Sequence, residues 1–315
     1  MQLIRGLYNL RSEHRGGVAT IGNFDGVHRG HQAVMQQLKD QAATLGCHTT
    51  VISFEPLPQE YFRADQAPAR LTPLREKLAL LEDLGIDQLL CLPFNATLAD
   101  TPAQQFIQEI LVKGLGIRHL VVGDDFRFGK DRLGDFAMLQ AAGAQYGFQV
   151  SDTRTLVCDH NTRVSSTRIR AALAAGELKQ AEQLLGRPFT MSGRVFHGDK
   201  RGRELGFPTA NIPANKPVSP LRGVFAVLVE GIGEHPVPGV CNVGTRPTFN
   251  ASGFLIEVHL LDFSGDLYGK RLTVNWLKKL RSEKRFDAFE DLVTQIHQDI
   301  ADARDFFATR QDAAK

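Results

Sequence analysis

The apolar pattern of this chain changes period near Gly186-Arg187-Pro188, and that change limits the available folds more than any other feature. Before it, short β-rich runs ("VATIGNF", "TTVISF", "QLLCLPF", "HLVVG") alternate with stretches of helical spacing. In "RGHQAVMQQLKDQAATLG", for example, Val34, Leu38, Ala42 and Leu45 recur one helical turn apart. Strands separated by helices can pair side by side only through right-handed crossovers, which predicts a mainly parallel sheet. Ligands of such sheets sit at the carboxyl ends of the strands. After the boundary come "SGRVFHG", "GVFAVLVEG", "VPGVCNVG", "FLIEVHLLDF" and "RLTVNWLKKL", punctuated by Gly and Pro. These predict a small antiparallel barrel or sandwich. Helical spacing returns at the end through Phe289, Leu292, Ile296 and Ile300. The expected domains are therefore residues 1–185, of α/β type, and residues 186–315, a small antiparallel β domain with a C-terminal helix.

At the first strand-to-helix junction the chain reads "TIGNFDGVHRGH". Backbone N–H groups at a helix N-terminus are unsatisfied and favour an anion. Gly22, Gly26 and Gly30 permit close backbone approach, and His28 and His31 can donate hydrogen bonds to phosphate oxygens. As a bare motif the stretch also fits two surface histidines at a helix start. A second stretch, "RVSSTRIR", precedes an alanine-rich helix. There Ser165, Ser166 and Thr167 either cap the helix or, with Arg168 and Arg170, hold a triphosphate. Between the two lies "VVGDDFRFGKDRLGDF", whose Phe126 and Phe128 suit a flat ring and Asp125 its polar edge. The alternative is a loop that tucks both phenylalanines into the core. "SFEPLPQEYF" adds an aromatic wall through Phe54, Pro56 and Phe62.

In the second half, "HGDKRGRELGFPTANI" combines flexible glycines (Gly198, Gly202, Gly206) with Lys200, which can meet phosphate charge. Thr209 and Asn211, two apart, would face one side of a strand and offer hard oxygen ligands for Mg²⁺. A Gly/Pro-rich hairpin is the plainer alternative. Alternation puts Glu257 opposite Ile256 and Val258, either inside the barrel or as an exposed strand carboxylate. A base there would take a proton from a hydroxyl attacking ATP.

Over nearly its whole length the chain resembles the bacterial bifunctional riboflavin kinase/FAD synthetase family. "IGNFDGVHRGH", "GDDFRFG" and "RVSSTRIR" are similar to its FMN adenylyltransferase module. "GRVFHGDKRGRELGFPTANI", "GVFAV", "NVGTRPTF", "EVHLLDF" and "LRSEKRFD" are similar to its riboflavin kinase module. The resemblance implies a nucleotidyltransferase-type Rossmann-like domain followed by a small antiparallel β-barrel domain. It implies ATP-dependent phosphorylation of riboflavin to FMN, then adenylylation of FMN to FAD with release of pyrophosphate, both with Mg²⁺. Catalytic roles fall to His28, His31 and Glu257. Gly22, Asn23, Phe24, Gly30, Ser165, Ser166, Thr167 and Arg168 map to the adenylyltransferase ATP site, and Phe62, Asp125, Phe126 and Phe128 to FMN. In the kinase module Gly193, Lys200, Gly206, Pro208, Thr209 and Asn211 map to ATP, with Thr209 and Asn211 also the metal ligands. Asn242, Arg281 and Phe286 map to the flavin. Asp125 stands where many members carry Asn, and Phe225 where Tyr is common, which bears on ring binding alone.

Two other classes share part of this pattern. A flavin or nucleotide carrier without turnover has the glycines and aromatics but no use for Glu257 or the histidine pair. An RNA-binding protein would need a basic stripe, whereas Lys+Arg 37 against Asp+Glu 35 leaves a net charge of +2. Cys47, Cys91, Cys158 and Cys241 form no C-x-x-C pair, which argues against a zinc site and fits a reducing cytoplasm. No run is long and apolar enough for a membrane span or a signal peptide. The expectation is a cytoplasmic enzyme acting on ATP, riboflavin and FMN, with no nucleic-acid, membrane or obligate protein partner.

Overall fold

The computed structural model describes residues 1–153, 157–158, 162–197, 206–213, 218–245 and 254–312. It forms two compact units, Met1–Ser166 and Thr167–Lys315. The division falls in the first turn of the helix Ser166–Ala175, ahead of the change in periodicity. The next helix, Leu178–Leu185, packs on the last strand of the second unit.

In the first unit β1 (Gln2–Arg5), β2 (Val18–Ile21), β3 (Thr49–Glu55), β4 (Gln88–Pro93), β5 (His119–Val122) and β6 (Gln149–Asp152) form one sheet. Every pair is parallel and the order is β1-β4-β3-β2-β5-β6. Successive side chains leave opposite faces of a strand, so each apolar run serves two cores. Ala19 and Ile21 join Ile52, Leu90 and Leu120 against Phe106, Ile107 and Leu111. Val18, Val51 and Leu89 face Met35 and Leu38 of the helix Arg29–Leu45, and Leu81 of the helix Leu74–Asp83. Burial on both faces explains runs that are continuously apolar rather than alternating. From β2 the chain builds outward through β3 and β4, then returns to β5 on the other side. That reversal makes the carboxyl end of β2 the switch point where such sheets bind ligands. A two-residue hairpin, β7 (Val157–Cys158) and β8 (Thr162–Arg163), lies outside the sheet.

The second unit is antiparallel throughout. β9 (Thr190–Arg194), β10 (Ala210–Pro213), β11 (Gly223–Glu230), β12 (Val237–Thr245), β13 (Phe254–Leu260) and β14 (Arg271–Arg281) run in the order β10-β13-β12-β11-β14-β9. Just beyond β9, Phe196 N–H donates to Asn211 O on β10 at 3.0 Å, bringing the two edges together in a nearly closed barrel. Phe225, Val227, Cys241, Val243, Ile256, Val258, Val274 and Trp276 share the enclosed face, with Phe225 and Trp276 edge to face at 5.2 Å. The outer face carries Val224, Ala226 and Val240, which pack on Ile300, Ala303 and Phe306 of the C-terminal helix Phe289–Asp312. The apolar stripe of that helix therefore begins later than the sequence spacing suggests: Phe289 is exposed, and Ala303 and Phe306 carry the packing.

Barrel closure depends on Gly193, because a Cβ there would run into Ile212 on β10. Gly193→Val should destabilise the protein by about 1–3 kcal/mol, the usual cost of overpacking. Gly233→Ala has open space around it and should change stability by less than about 0.5 kcal/mol. Chemical denaturation of both variants beside the parent checks this, and a Gly193→Val variant as stable as Gly233→Ala would contradict it.

Candidate functional sites

The turn after β2 is held in a conformation that most side chains avoid. Phe24 (φ 46°), Gly26 (φ 93°) and Val27 (φ 40°) are all left-handed. For a non-glycine residue this costs about 1–3 kcal/mol and persists only where the surroundings enforce it. They do so here from three sides. The buried Asp25 carboxylate accepts the backbone N–H of Leu71 at 3.0 Å and of Thr72 at 3.0 Å. Lys77 Nζ donates to Asn23 O at 2.6 Å and to Ser53 Oγ at 3.2 Å. Ser166 Oγ donates to Asp25 O at 2.8 Å, which fastens the start of the second helix to the same turn. Phe24 and Val27 complete the hold by burying their side chains.

His28 is the N-cap of the helix Arg29–Leu45, and its Nδ1 accepts the backbone N–H of His31 at 3.3 Å. Accepting at Nδ1 leaves the proton on Nε2, which is then a donor. The His31 ring stacks on that of His28 with centroids 3.5 Å apart and planes at 16°. Two imidazolium rings that close would repel. Burial, the neighbouring His28 and the charge of Lys77 hold the His31 pKa well below its ordinary value. His31 is thus held neutral beside the His28 ring, offering hydrogen bonds rather than fixed charge. Gly30 leaves the room this needs, since a Cβ there would stand 3.2 Å from the His28 ring. A helix start capped by His28, a second imidazole stacked on it and a rigid turn are the elements from which anion sites are built.

Around this cradle the sequence-derived candidates divide. His28, His31, Gly22, Asn23, Phe24, Gly30 and Ser166 are together. Ser165 stands just ahead of the helix Ser166–Ala175, and Thr167 and Arg168 occupy its first turn. Phe128 is buried against Phe106 at 5.5 Å, so it belongs to the core, while Phe126 stacks on it at 5.5 Å and is only half-buried. Asp125 pairs with Arg163 at 2.8 Å, and that guanidinium lowers the Asp125 pKa. Phe62 is 64% exposed. It meets Phe94 at 5.6 Å beside Tyr61 and Phe54, forming an aromatic wall where β3 and β4 end. Behind that wall Arg70 reaches Glu55 at 2.7 Å and also pairs with Glu60.

Asp25, Ser53, Arg70, Lys77 and Phe94 had not been singled out from the sequence. Asp25 sits inside the quoted motif and is the one that its place in a Gly-flanked turn would have exposed. Lys77 gives no local signal, because it is one of several charged residues on an amphipathic helix and only the fold buries it.

In the second unit, strand register lines up a polar row. Asn211 stands opposite Glu257, and Glu257 opposite Asn242. Directly opposed residues share a face, so all three lie on the outer side. Ile256 and Val258 fill the interior, and Glu257 is not inside the barrel as one reading had allowed. The Asn211 Oδ1 is buried with no hydrogen-bond partner among the described residues. Thr209 immediately precedes β10 rather than lying in it. With Pro208, Val195, Phe263, Asp266 and Tyr268 it lines a cavity of about 270 Å³. Tyr268 stacks on His197 at 3.7 Å. Gly206 is left-handed (φ 83°) and exposed. Arg281 is held by Asp299 of the C-terminal helix at 2.7 and 2.8 Å, with Phe286 5.8 Å from its guanidinium. Lys200 lies outside the described residues.

Two family profiles match the chain: FAD synthetase over residues 10–168 and riboflavin kinase over residues 185–307. The bifunctional riboflavin kinase/FMN adenylyltransferase of Escherichia coli K12 is 51% identical over 314 residues, covering 99% of this chain and 100% of the relative. The protein of the same name from Pseudomonas fluorescens is 53% identical over 305 residues, covering 96% and 97%. Among solved structures, a Streptococcus pneumoniae chain named as a macrolide-efflux protein matches with TM-score 0.80 at 29% identity, covering 96% of this chain and 99% of that one. No helix among the described residues is long and apolar enough to cross a membrane.

The depressed pKa of His31 has a definite sign. An unfolded histidine titrates near about 6.5, so below that pH the unfolded chain binds the proton more readily and stability falls toward the folded pKa. His31→Gln should narrow the difference in unfolding midpoint between about pH 7.5 and about pH 5.5. An unchanged difference would mean that His31 is not held neutral.

Proposed function

The chain belongs to the bifunctional riboflavin kinase/FMN adenylyltransferase family, and from that premise we propose how its residues divide the two reactions. It phosphorylates riboflavin with ATP to give FMN, and it adenylylates FMN with a second ATP to give FAD and pyrophosphate. The observation that carries the assignment of roles is the clamped turn with its stacked histidines at a helix start.

In the first unit the triphosphate lies over Gly22–His31, with Ser165 and Ser166 on its other flank. A phosphate oxygen of FMN attacks the α-phosphorus, and the bond to the β-phosphate oxygen breaks. Negative charge grows on the pyrophosphate as it leaves. The Nε2–H of His28, the ring of His31 and the backbone N–H groups of Arg29 and Gly30 in the first helical turn meet that charge without reorganising. The turn needs no covalent step, because placement and charge stabilisation suffice for such transfers. Phe62, with Phe54, Tyr61 and Phe94 beside it, supplies a surface for the flavin ring; Phe126 and Asp125 bound the far side. Phe128 acts from behind by fixing Phe126.

In the second unit the nucleotide occupies the cavity beside Pro208 and Thr209; Lys200, outside the described residues, is assigned to phosphate charge by the family resemblance alone. Of the two candidate cation ligands, Thr209 lines this cavity. Asn211, whose buried Oδ1 has no partner among the described residues, lies on the outer face beside Glu257. Both offer the oxygen donors that a hard cation takes. Mg²⁺ bound there would neutralise charge on the ATP phosphates. Glu257, one strand over from Asn211, accepts the proton of the riboflavin 5′-hydroxyl as its oxygen bonds to the γ-phosphorus and ADP departs. Asn242 extends this row toward the flavin. Arg281 and Phe286 border it, and Asp299 fixes the guanidinium in place. The free thiols of Cys47, Cys91 and Cys241 suit a reducing, cytoplasmic setting.

The two sites should fail independently. Glu257→Gln keeps the shape of the side chain but not its basicity. It should slow riboflavin phosphorylation roughly 10²–10⁴-fold while FAD formation from supplied FMN is unchanged. Wild-type kinase turnover in this variant would remove Glu257 from the mechanism. Conversely, His31→Ala should lower FMN adenylylation about 10²–10³-fold and spare phosphorylation; a matched loss of both activities would refute the two-site assignment.

A further inference from the structure

Lys77 is 1% exposed, yet its ammonium donates to two neutral oxygens, Asn23 O at 2.6 Å and Ser53 Oγ at 3.2 Å. Taking a cation out of water for neutral acceptors is unfavourable, so packing alone gives no reason for a lysine here. A leucine or methionine in the helix Leu74–Asp83 would fill the space. What a lysine adds is a positive charge directly behind the turn that receives the triphosphate. We propose that Lys77 is a positioning residue for adenylyl transfer, holding the Asn23 carbonyl and hence the left-handed turn, and supplying a buried positive charge that favours ATP over the empty site. This rests on the adenylyltransferase reading of the first unit.

The surrounding charges fit this role. Asp25 in the turn, Glu55 at the end of β3, Arg70 ahead of the helix and Cys91 on β4 all act on Lys77 through space, and His31 faces it from the helix Arg29–Leu45. Asp25 is already engaged by Leu71 and Thr72, and Glu55 by Arg70. Glu55 is shared with the Arg70 guanidinium, whereas Asp25, whose Leu71 and Thr72 donors are uncharged, acts on the ammonium through space and ties the lysine's charge to the turn itself. Burial lowers the Lys77 pKa to about 8. The lysine is therefore charged below that pH and loses its proton as pH rises through it. Bound triphosphate favours the charged form, so the titration belongs to the free enzyme and appears in KM for ATP rather than in kcat.

The test follows FMN adenylylation by the full chain with MgATP from about pH 6.5 to 9.5, a window that spans the lysine titration. In the parent, KM for ATP should rise above pH 8. Lys77→Met should raise KM at pH 7 roughly 10- to 100-fold, the value of a hydrogen bond to a charged group, and its profile should be flat through the bend. Its kcat should change far less, and riboflavin phosphorylation should keep the parent profile. Removing the charge should also raise the His31 midpoint read by NMR. Ser53→Ala retains the lysine but withdraws one acceptor from the ammonium, so the bend should move to lower pH. An unshifted bend in Ser53→Ala, or a Lys77→Met variant with parental KM or a persisting bend, overturns the proposal. A parent chain that makes FMN but no FAD would instead overturn the reading beneath it.

Discussion

The strained turn after β2 depends on the Asp25 carboxylate. By accepting the backbone N–H groups of Leu71 and Thr72, it ties the turn after β2 to the segment that leads into the helix Leu74–Asp83. Buried carboxylates are tolerated when hydrogen-bonded in this way. With that anchor in place Phe24 and Val27 remain left-handed, His28 caps the helix Arg29–Leu45 through the His31 N–H, and the His28 and His31 rings stack. Without it, the turn could relax to an ordinary extended exit and the histidines would lose their common orientation. Strain at the site and burial around it are two aspects of one arrangement.

The second unit solves its problem differently. No strained turn is needed, because strand register alone sets Asn211, Glu257 and Asn242 side by side on the outer face. The enclosed face is fully apolar and keeps the strands in register, since a slip of one residue would exchange the two faces. The C-terminal helix covers part of the outer face through Ile300, Ala303 and Phe306, and Asp299 reaches from it to Arg281. A rigid sheet positions the carboxylate in one unit and a clamped loop positions the histidines in the other. On the proposed assignment, the two phosphate chemistries rest on two kinds of backbone support.

Much of this was legible in the residues. Alternation of short apolar runs with helical stretches encodes a doubly covered parallel sheet, and β-branched runs between glycines encode a barrel, because each pattern follows from which faces must be buried. The histidine pair was legible because its glycines and its place at a strand end are local features. Lys77 and Arg70 were not, for their significance is tertiary: nothing nearby in sequence says that a helix lysine will lie under a turn 54 residues earlier. Phe128 shows the converse, since its spacing from Phe126 suits a ring clamp and only packing against Phe106 shows it to be core. The outward position of Glu257 became decidable once Ile256 and Val258 were seen to fill the barrel.

The central claim is that residues 22–31 form a preorganised anion cradle. Hydrogen exchange of the full chain, with and without inorganic pyrophosphate and Mg²⁺, tests it most directly. A preformed cradle should show protection at the amides of residues 22–31 on addition of pyrophosphate alone, with no flavin or adenine present. Unchanged exchange across that stretch, under conditions where the same preparation converts FMN to FAD, would contradict the account.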